Sequence, residues 1–362
     1  MPLRDVPTPP ALALGIARSE YVSGPRVHEF VREMRREALA PYGARLLTVG
    51  ETSGVTVDEA LRFTDPARGE LDMIFSFEHV RFDNGRDKFD KLPLDLPALK
   101  AIATRWQLGL GDVGWNSLYW CNHDQPRVVS RWGNESEFRD RSAKAWALVL
   151  HLQRGTPYVY QGEEIGMTNY PFTSLAEVAD IQSHNHAAYA ATLGDPPERV
   201  MRQIAEMGRD NARTPMQWDA SLHAGFTSGT PWLPVHPNHV ELNVAAQRAD
   251  PDSVLAFYRK LIRLRHDEPL VTGGDYRPLL PEHPALWAFL RSSDLESWLV
   301  VANLSDDAVE LPAALVASGA TTVLSTVAGE QQPTAQPWEA RVLRLHSPAK
   351  PALSAAGAAL PT

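Results

Sequence analysis

Asn122, His123 and Asp124 stand in a row directly after the apolar run 117–121, and Pro126, with no backbone N–H to donate, stops any regular continuation. A carboxylate and an imidazole at the end of a buried strand cost free energy unless something there uses them. The arrangement recurs along the chain. The run 45–50 ends on Glu51, the run 71–77 on Glu78 and His79, and the run 157–160 on Gln161, Gly162, Glu163 and Glu164. Singly, each carboxylate reads as a turn or helix cap; together they describe a site built from carboxylates. Paired carboxylates with an arginine and aromatic platforms suit cleavage of a glycosidic bond. One must carry a proton to the leaving oxygen, and the other must be ionised to attack or to stabilise the oxocarbenium-like centre. Glu51 fits the acid, since burial at the end of an apolar strand would hold its proton on. Asp124 fits the anion, with Arg127 near enough in sequence to keep it charged. His123 is placed to donate to a sugar hydroxyl. Zinc is the other common use of His with carboxylates, but no His-x-x-x-His helix or Cys pair accompanies them, so neither a metal nor a cofactor is expected.

These groups meet only if the fold brings their strands together, and the order of elements predicts that it does. Residues 1–22 carry Pro7, Pro9 and Pro10 and show no periodicity, which predicts irregular chain. A helix is signalled from Ser23, with Ser23 as cap, Pro25 in the first turn, and Val27, Phe30, Val31, Met34 and Leu39 largely on one face. Pro41 and Gly43 end it. The strands 45–50, 71–77, 117–121 and 157–160 then alternate with helices over 97–110 and 137–153. The first of these helices turns Leu99, Ile102, Ala103 and Trp106 to one side, and the second turns Ala143, Trp146, Ala147, Leu150 and Leu152 inward. Such alternation predicts an α/β fold with a parallel sheet, whose carboxyl ends share the edge where ligands bind.

Residues 165–255 break the alternation with a loop-rich insertion, a helix near 197–207 and the polar cluster 209–218. A helix over about 253–266 follows. Short β-branched and aromatic runs at 287–290, 298–303, 321–324 and 341–345 predict a small antiparallel domain, and the Ala/Pro-rich stretch after Ser347 a disordered tail.

With 362 residues the chain is long enough for two or three domains. Its net charge of −9 argues against electrostatic binding of nucleic acid. No run of about 18 apolar residues exists to span a membrane. The start, Met1 to Asp5, lacks the basic-then-apolar order of a signal peptide. Cys121 is the one cysteine, which excludes an internal disulfide and a Cys-rich metal site. A cytoplasmic setting is the expectation.

Four stretches carry a resemblance: Val49-Gly50-Glu51, Asn122 through Arg127, Gly155 through Met167, and Arg209 through Trp218. In this order they resemble the alpha-amylase superfamily of glycoside hydrolases, its oligo-1,6-glucosidase and alpha-glucosidase branch most of all. The helix start 23–30 is similar to that branch as well, so the likeness covers nearly the whole chain. The resemblance implies a (β/α)8 barrel followed by a C-terminal β-sandwich, and an oligosaccharide or disaccharide substrate. It implies that Glu51 is the general acid/base, Asp124 the transition-state-stabilising aspartate, His123 a sugar-binding histidine, and Arg209, with Arg213 as the alternative, the arginine that binds the terminal sugar.

One departure from the family pattern bears on activity. The family's nucleophile is an aspartate on the fourth barrel strand within Gly-Phe-Arg-x-Asp, and no such pattern exists here; Leu3-Arg4-Asp5-Val6 is a superficial echo. The expectation is therefore a partial barrel, about the last four strand–helix units, over 1–270 with its insertion at about 165–250, then a β-sandwich over 271–347 and the tail 348–362. Four strands leave a barrel open, and a retaining mechanism without its nucleophile lacks its covalent step. The chain alone is expected to be inactive or nearly so, with a chain carrying the missing half as the partner this leaves open. A non-catalytic sugar- or partner-binding relative, and a transglycosylase or isomerase acting on sucrose, maltose or trehalose, are the competing readings.

Overall fold

The computed structural model describes residues 23–316, 319–329 and 332–345. The expectations for 1–22, with Asp5, and for the tail lie outside them. Four parallel strands run side by side in chain order: β1 Val49–Glu51, β2 Met73–Phe75, β3 Asn116–Leu118 and β4 Thr156–Pro157. All are shorter than their apolar runs. Tyr119, Trp120 and Cys121 continue the burial of β3 but leave the ladder, so the apolar pattern reported burial rather than pairing.

Local signals explain the intervening helices. Thr56 and Glu59 form a reciprocal capping box at the head of Val57–Thr64, a helix missing from the sequence reading. Asp95 accepts from Ala98 N at 3.0 Å to start Leu96–Leu110, with Pro97 in the first turn. Arg139–His151 buries Ala143, Trp146, Ala147 and Leu150, as its periodicity predicts. The helix expected from Ser23 needs correction. It starts at Val27 behind Arg26, without a side-chain cap, and after Met34 passes into a π-turn Arg35–Leu39 and a 3-10 turn Ala40–Arg45. Only Val27 and Val31 of its apolar face pack, against the cluster of Ala60, Phe63 and Ile74; Phe30 and Met34 are exposed.

The C-terminal part is a five-stranded antiparallel sheet of β5 Asp275–Leu279, β6 Leu286–Ser292, β7 Ser297–Asn303, β9 Thr321–Ser325 and β11 Ala340–Leu345, in the order β5-β6-β7-β11-β9. A ribbon of β8 Val309–Glu310 and β10 Thr334–Ala335 lies beside it. Alternate residues face opposite sides. Leu286, Ala288, Leu290, Leu299 and Val301 pack with Leu311, Leu315 and Ala335 of the ribbon side. Trp287, Phe289, Trp298 and Val300 pack on the α/β part, where Trp120, Trp132, Trp146 and Trp287 meet with centroids 5.2–6.4 Å apart. Buried cations stitch the two parts. Lys100 Nζ donates to the carbonyls of Leu280, His283 and Leu286, and Arg291 to those of Leu152 and Gly274.

Among the described residues the parallel sheet has two open edges: β1 pairs with β2 alone and β4 with β3 alone. Leu46, Leu47 and Val49 are exposed beside the first edge, Val159 and Ile262 beside the second.

Candidate active site

Register sets Glu51, Phe75, Ser117 and Thr156 abreast across the sheet. Every polar group singled out from the sequence therefore lies on, or in the loops beyond, one carboxyl-terminal rim. The four acidic ends then take different paths. Glu78 is held against the outer helix by Arg105 and by Trp106 Nε1 at 3.0 Å. Glu164 folds back to accept from Gly162 N at 2.7 Å. Glu163 is buried behind the rim, where it accepts from Tyr258 Oη at 2.8 Å and Cys121 Sγ at 3.0 Å. Burial pushes its carboxyl up to about 7. His79, its Nε2 on the Tyr119 carbonyl at 2.8 Å, is pushed down to about 4 by burial and stays neutral. Glu51 and Asp124 remain open to a ligand.

Asp124 is the centre of a charge cluster. Its Oδ1 accepts from Arg213 at 2.8 Å and from Arg209 at 3.4 Å, and His123 Nε2 lies 3.8 Å from Oδ2. Arg213 also donates through Nε to the His123 carbonyl at 3.0 Å, so one guanidinium fixes the whole turn. Asp124 N closes that turn on Asn122 Oδ1 at 2.8 Å, and Lys88 Nζ donates to the Asp124 carbonyl at 2.7 Å. Burial lowers the Lys88 ammonium to about 8. His123 itself is 64% exposed and Asp124 40%.

A second carboxylate shares the arginines. Asp180 takes Arg209 at 2.5 and 3.0 Å and caps the helix Ile181–Leu193 through Gln182 N and Ser183 N. Burial would raise the Asp180 carboxyl, but the hydrogen bonds from Arg209 and the cap amides outweigh it and hold it below its ordinary value. Arg213 also lies 3.8 Å from Asp210, so two arginines bridge three aspartates, Asp124, Asp180 and Asp210.

Two sequence expectations are corrected. Arg127 does not face the Asp124 carboxylate. Its guanidinium is buried on the far side of the turn and donates to the carbonyls of Gln161, Asn211 and Ala212, while its ring-on contact is Tyr160, 5.6 Å away. Arg127 thus fastens the Asp124 turn to the loop after β4 and to the arginine segment. Gly162, at φ +89°, leaves it room, since a Cβ there would stand 2.9 Å from its Nη1. The charge beside Asp124 comes from Arg209 and Arg213 instead. Glu51, in turn, closes β1 at the sheet edge and is exposed, so the described residues do not supply the burial its acid role relied on. Tyr119, directly after β3, is buried, and its hydroxyl donates to the Ser76 carbonyl at 2.8 Å.

Reasoning from sequence missed Asp180, Lys88 and the buried pair Asp83–Arg131. Arg131 Nε meets Asp83 at 2.9 Å, Trp132 Nε1 meets it at 2.8 Å, and Gln125 accepts from Arg131 at 2.8 Å, which anchors the loop after β2 beneath the Asp124 turn. Asp180 is a helix cap, but the helix it caps, Ile181–Leu193, has no apolar stripe to announce it. Nothing local marked Asp83 or Lys88.

The alpha amylase catalytic-domain family matches residues 3–274. Oligo-1,6-glucosidase from Parageobacillus thermoglucosidasius is 45% identical over 337 residues, 91% of this chain and 60% of that protein. Trehalose-6-phosphate hydrolase from Bacillus licheniformis superposes with a TM-score of 0.86 at 38% identity, over 92% of this chain and 61% of that one. Isomaltulose synthase from Erwinia rhapontici, solved with its natural substrate sucrose, superposes with a TM-score of 0.82 at 35% identity, over 90% and 60%. The chain spans about three fifths of the length of these relatives.

Proposed function

The chain belongs to the alpha-amylase family, and from that premise we propose that it is the later portion of an alpha-glucosidase-type hydrolase cleaving α-glucosidic bonds of short oligosaccharides with retention. The observation that carries this reading is the Asp124 cluster: an accessible carboxylate held by Arg209 and Arg213 beside an exposed His123, on the same rim as Glu51. In this reading Glu51 delivers a proton to the leaving oxygen as its bond to the anomeric carbon breaks. Asp124 stabilises the positive charge that develops on the sugar, and His123 and Arg209 hold sugar hydroxyls. The nucleophile that forms the glycosyl intermediate comes from outside the described residues. So do the strands that complete the sheet at its two open edges, as further polypeptide or as a second chain. Completion also covers Glu51 and gives it the burial an acid needs. The substrate is an oligosaccharide or disaccharide, the setting cytoplasmic, and the described residues alone are inactive or nearly so.

Two observations favour other readings. The exposure of Glu51 suits a non-catalytic sugar- or partner-binding relative. The likeness to a sucrose-converting synthase suits transfer or isomerisation. One assay separates them: nitrophenyl α-glucoside turnover by the purified chain alone, and by the chain joined behind the N-terminal portion of the Parageobacillus relative. The proposal expects no turnover from the first. From the second it expects turnover with release of free glucose, lost on Asp124→Asn. Turnover by the chain alone that disappears with Glu51→Gln contradicts the need for completion; an inactive joined enzyme favours the binding reading.

A further inference from the structure

Trp232 is 65% exposed, yet its indole is fixed in place. Nε1–H donates to the Arg213 carbonyl at 2.9 Å, and the ring meets Phe226 edge to face, 5.0 Å between centroids at 87°. Phe226 in turn packs on the buried group of Ile165, Met167, Met216, Leu242 and Val244. A large apolar side chain left in water forgoes the stabilisation that burial gives, and a hydrogen bond that immobilises it there adds an ordering cost. Its place is informative. The residue whose carbonyl holds the indole is the one whose guanidinium holds Asp124 and the His123 carbonyl. The indole therefore lies beside the backbone of a residue whose guanidinium holds the charge cluster, with most of its surface in solvent.

We propose that Trp232 is a stacking platform for a sugar ring beyond the one held at Asp124, and so a specificity-determining residue that favours longer substrates. A pyranose presents an apolar C–H face that covers an indole while its hydroxyls stay in water, so a half-exposed, rigid indole matches it with little ordering left to pay. The inference rests on the sugar-site reading above and adds to it the site's reach.

Calorimetric titration of the full chain with methyl α-glucoside and with isomaltotriose tests it. The chain binds the trisaccharide more tightly. Trp232→Ala weakens trisaccharide binding about tenfold and leaves methyl α-glucoside unchanged. Trp232→Phe retains most of the advantage, and Leu222→Ala, an 80% exposed apolar side chain of the same segment, changes neither. Equal trisaccharide binding by the parent and Trp232→Ala overturns the platform while leaving the sugar site standing. So does equal loss for both ligands, the mark of an indole with a structural role. A parent chain that binds neither ligand overturns the sugar-site reading and this inference with it.

Discussion

Between pH 4.5 and about 7 the folded chain keeps a proton on Glu163 that the unfolded chain has lost. The sign follows from the raised folded value: the stability this group contributes is complete below 4.5 and is lost as pH rises through about 7. Burial is the leading cause. The groups facing Glu163 are the Tyr258 hydroxyl and the Cys121 thiol, both pushed up themselves, with Glu164 and Arg127 further off. The hydrogen bonds from Cys121 and Tyr258 favour the ionised carboxyl, so the stability lost on ionisation comes from burying the charge. Melting curves are expected to show the parent chain losing stability on the order of 2 kcal/mol between about pH 5.5 and pH 8 relative to Glu163→Gln, which keeps the shape and removes the titration. Parallel profiles for the two proteins rule this out. In a completed enzyme Asp124→Asn should lower kcat by about 10²–10³-fold with smaller change in KM, because the charge it supplies matters most when the sugar is cationic. That Glu51 and the Asn122–Asp124 turn end toward one rim was legible at this scale from the spacing of the apolar runs. What each contacts was not: Arg127, five residues from Asn122, faces away from Asp124, while Arg209 and Arg213, more than 80 residues on, face it.

Loops position this site, and a few buried polar contacts position the loops. The Asp83–Arg131 pair joins the loop after β2 to the helix Val128–Trp132 and is closed to water on both sides. Removing one partner strands a buried charge, so Asp83→Ala should cost about 3–5 kcal/mol in denaturant unfolding. A loss under about 1 kcal/mol contradicts the view that this pair anchors the rim. The helices Leu96–Leu110, Arg139–His151, Pro197–Met207 and Val254–Asp267 were readable from a 3.6-residue period, all but Arg139–His151 with a cap or proline at the start. Ile181–Leu193 was hidden because its apolar residues do not form an inward stripe: Ile181, Tyr189 and Leu193 are exposed. The parallel strands were found but overlong, since an apolar run of five residues looks the same whether it pairs or turns inward.

At the scale of the molecule, the chain couples a four-stranded parallel sheet with open edges to an antiparallel sheet buried on both faces. The antiparallel part packs one face on the α/β part, while among the described residues the parallel part exposes strand edges with Leu46, Leu47 and Val49 beside one of them. Light scattering should therefore show the chain self-associating as its concentration rises, and Leu47→Lys, which sets a charge at that edge, should reduce the effect. A monodisperse monomer at all concentrations would contradict an edge in need of cover. The α/β class and the antiparallel C-terminal part followed from the order of elements; the openness of the sheet follows from pairing, which only the fold displays. The proposed cleavage needs Glu51 as proton donor and Asp124 as stabiliser of one sugar ring. The most direct test is kcat for isomaltose in the joined enzyme with Glu51→Gln. A fall of about 10²–10⁴-fold with KM little changed is predicted; turnover equal to that of the parent would contradict the assignment.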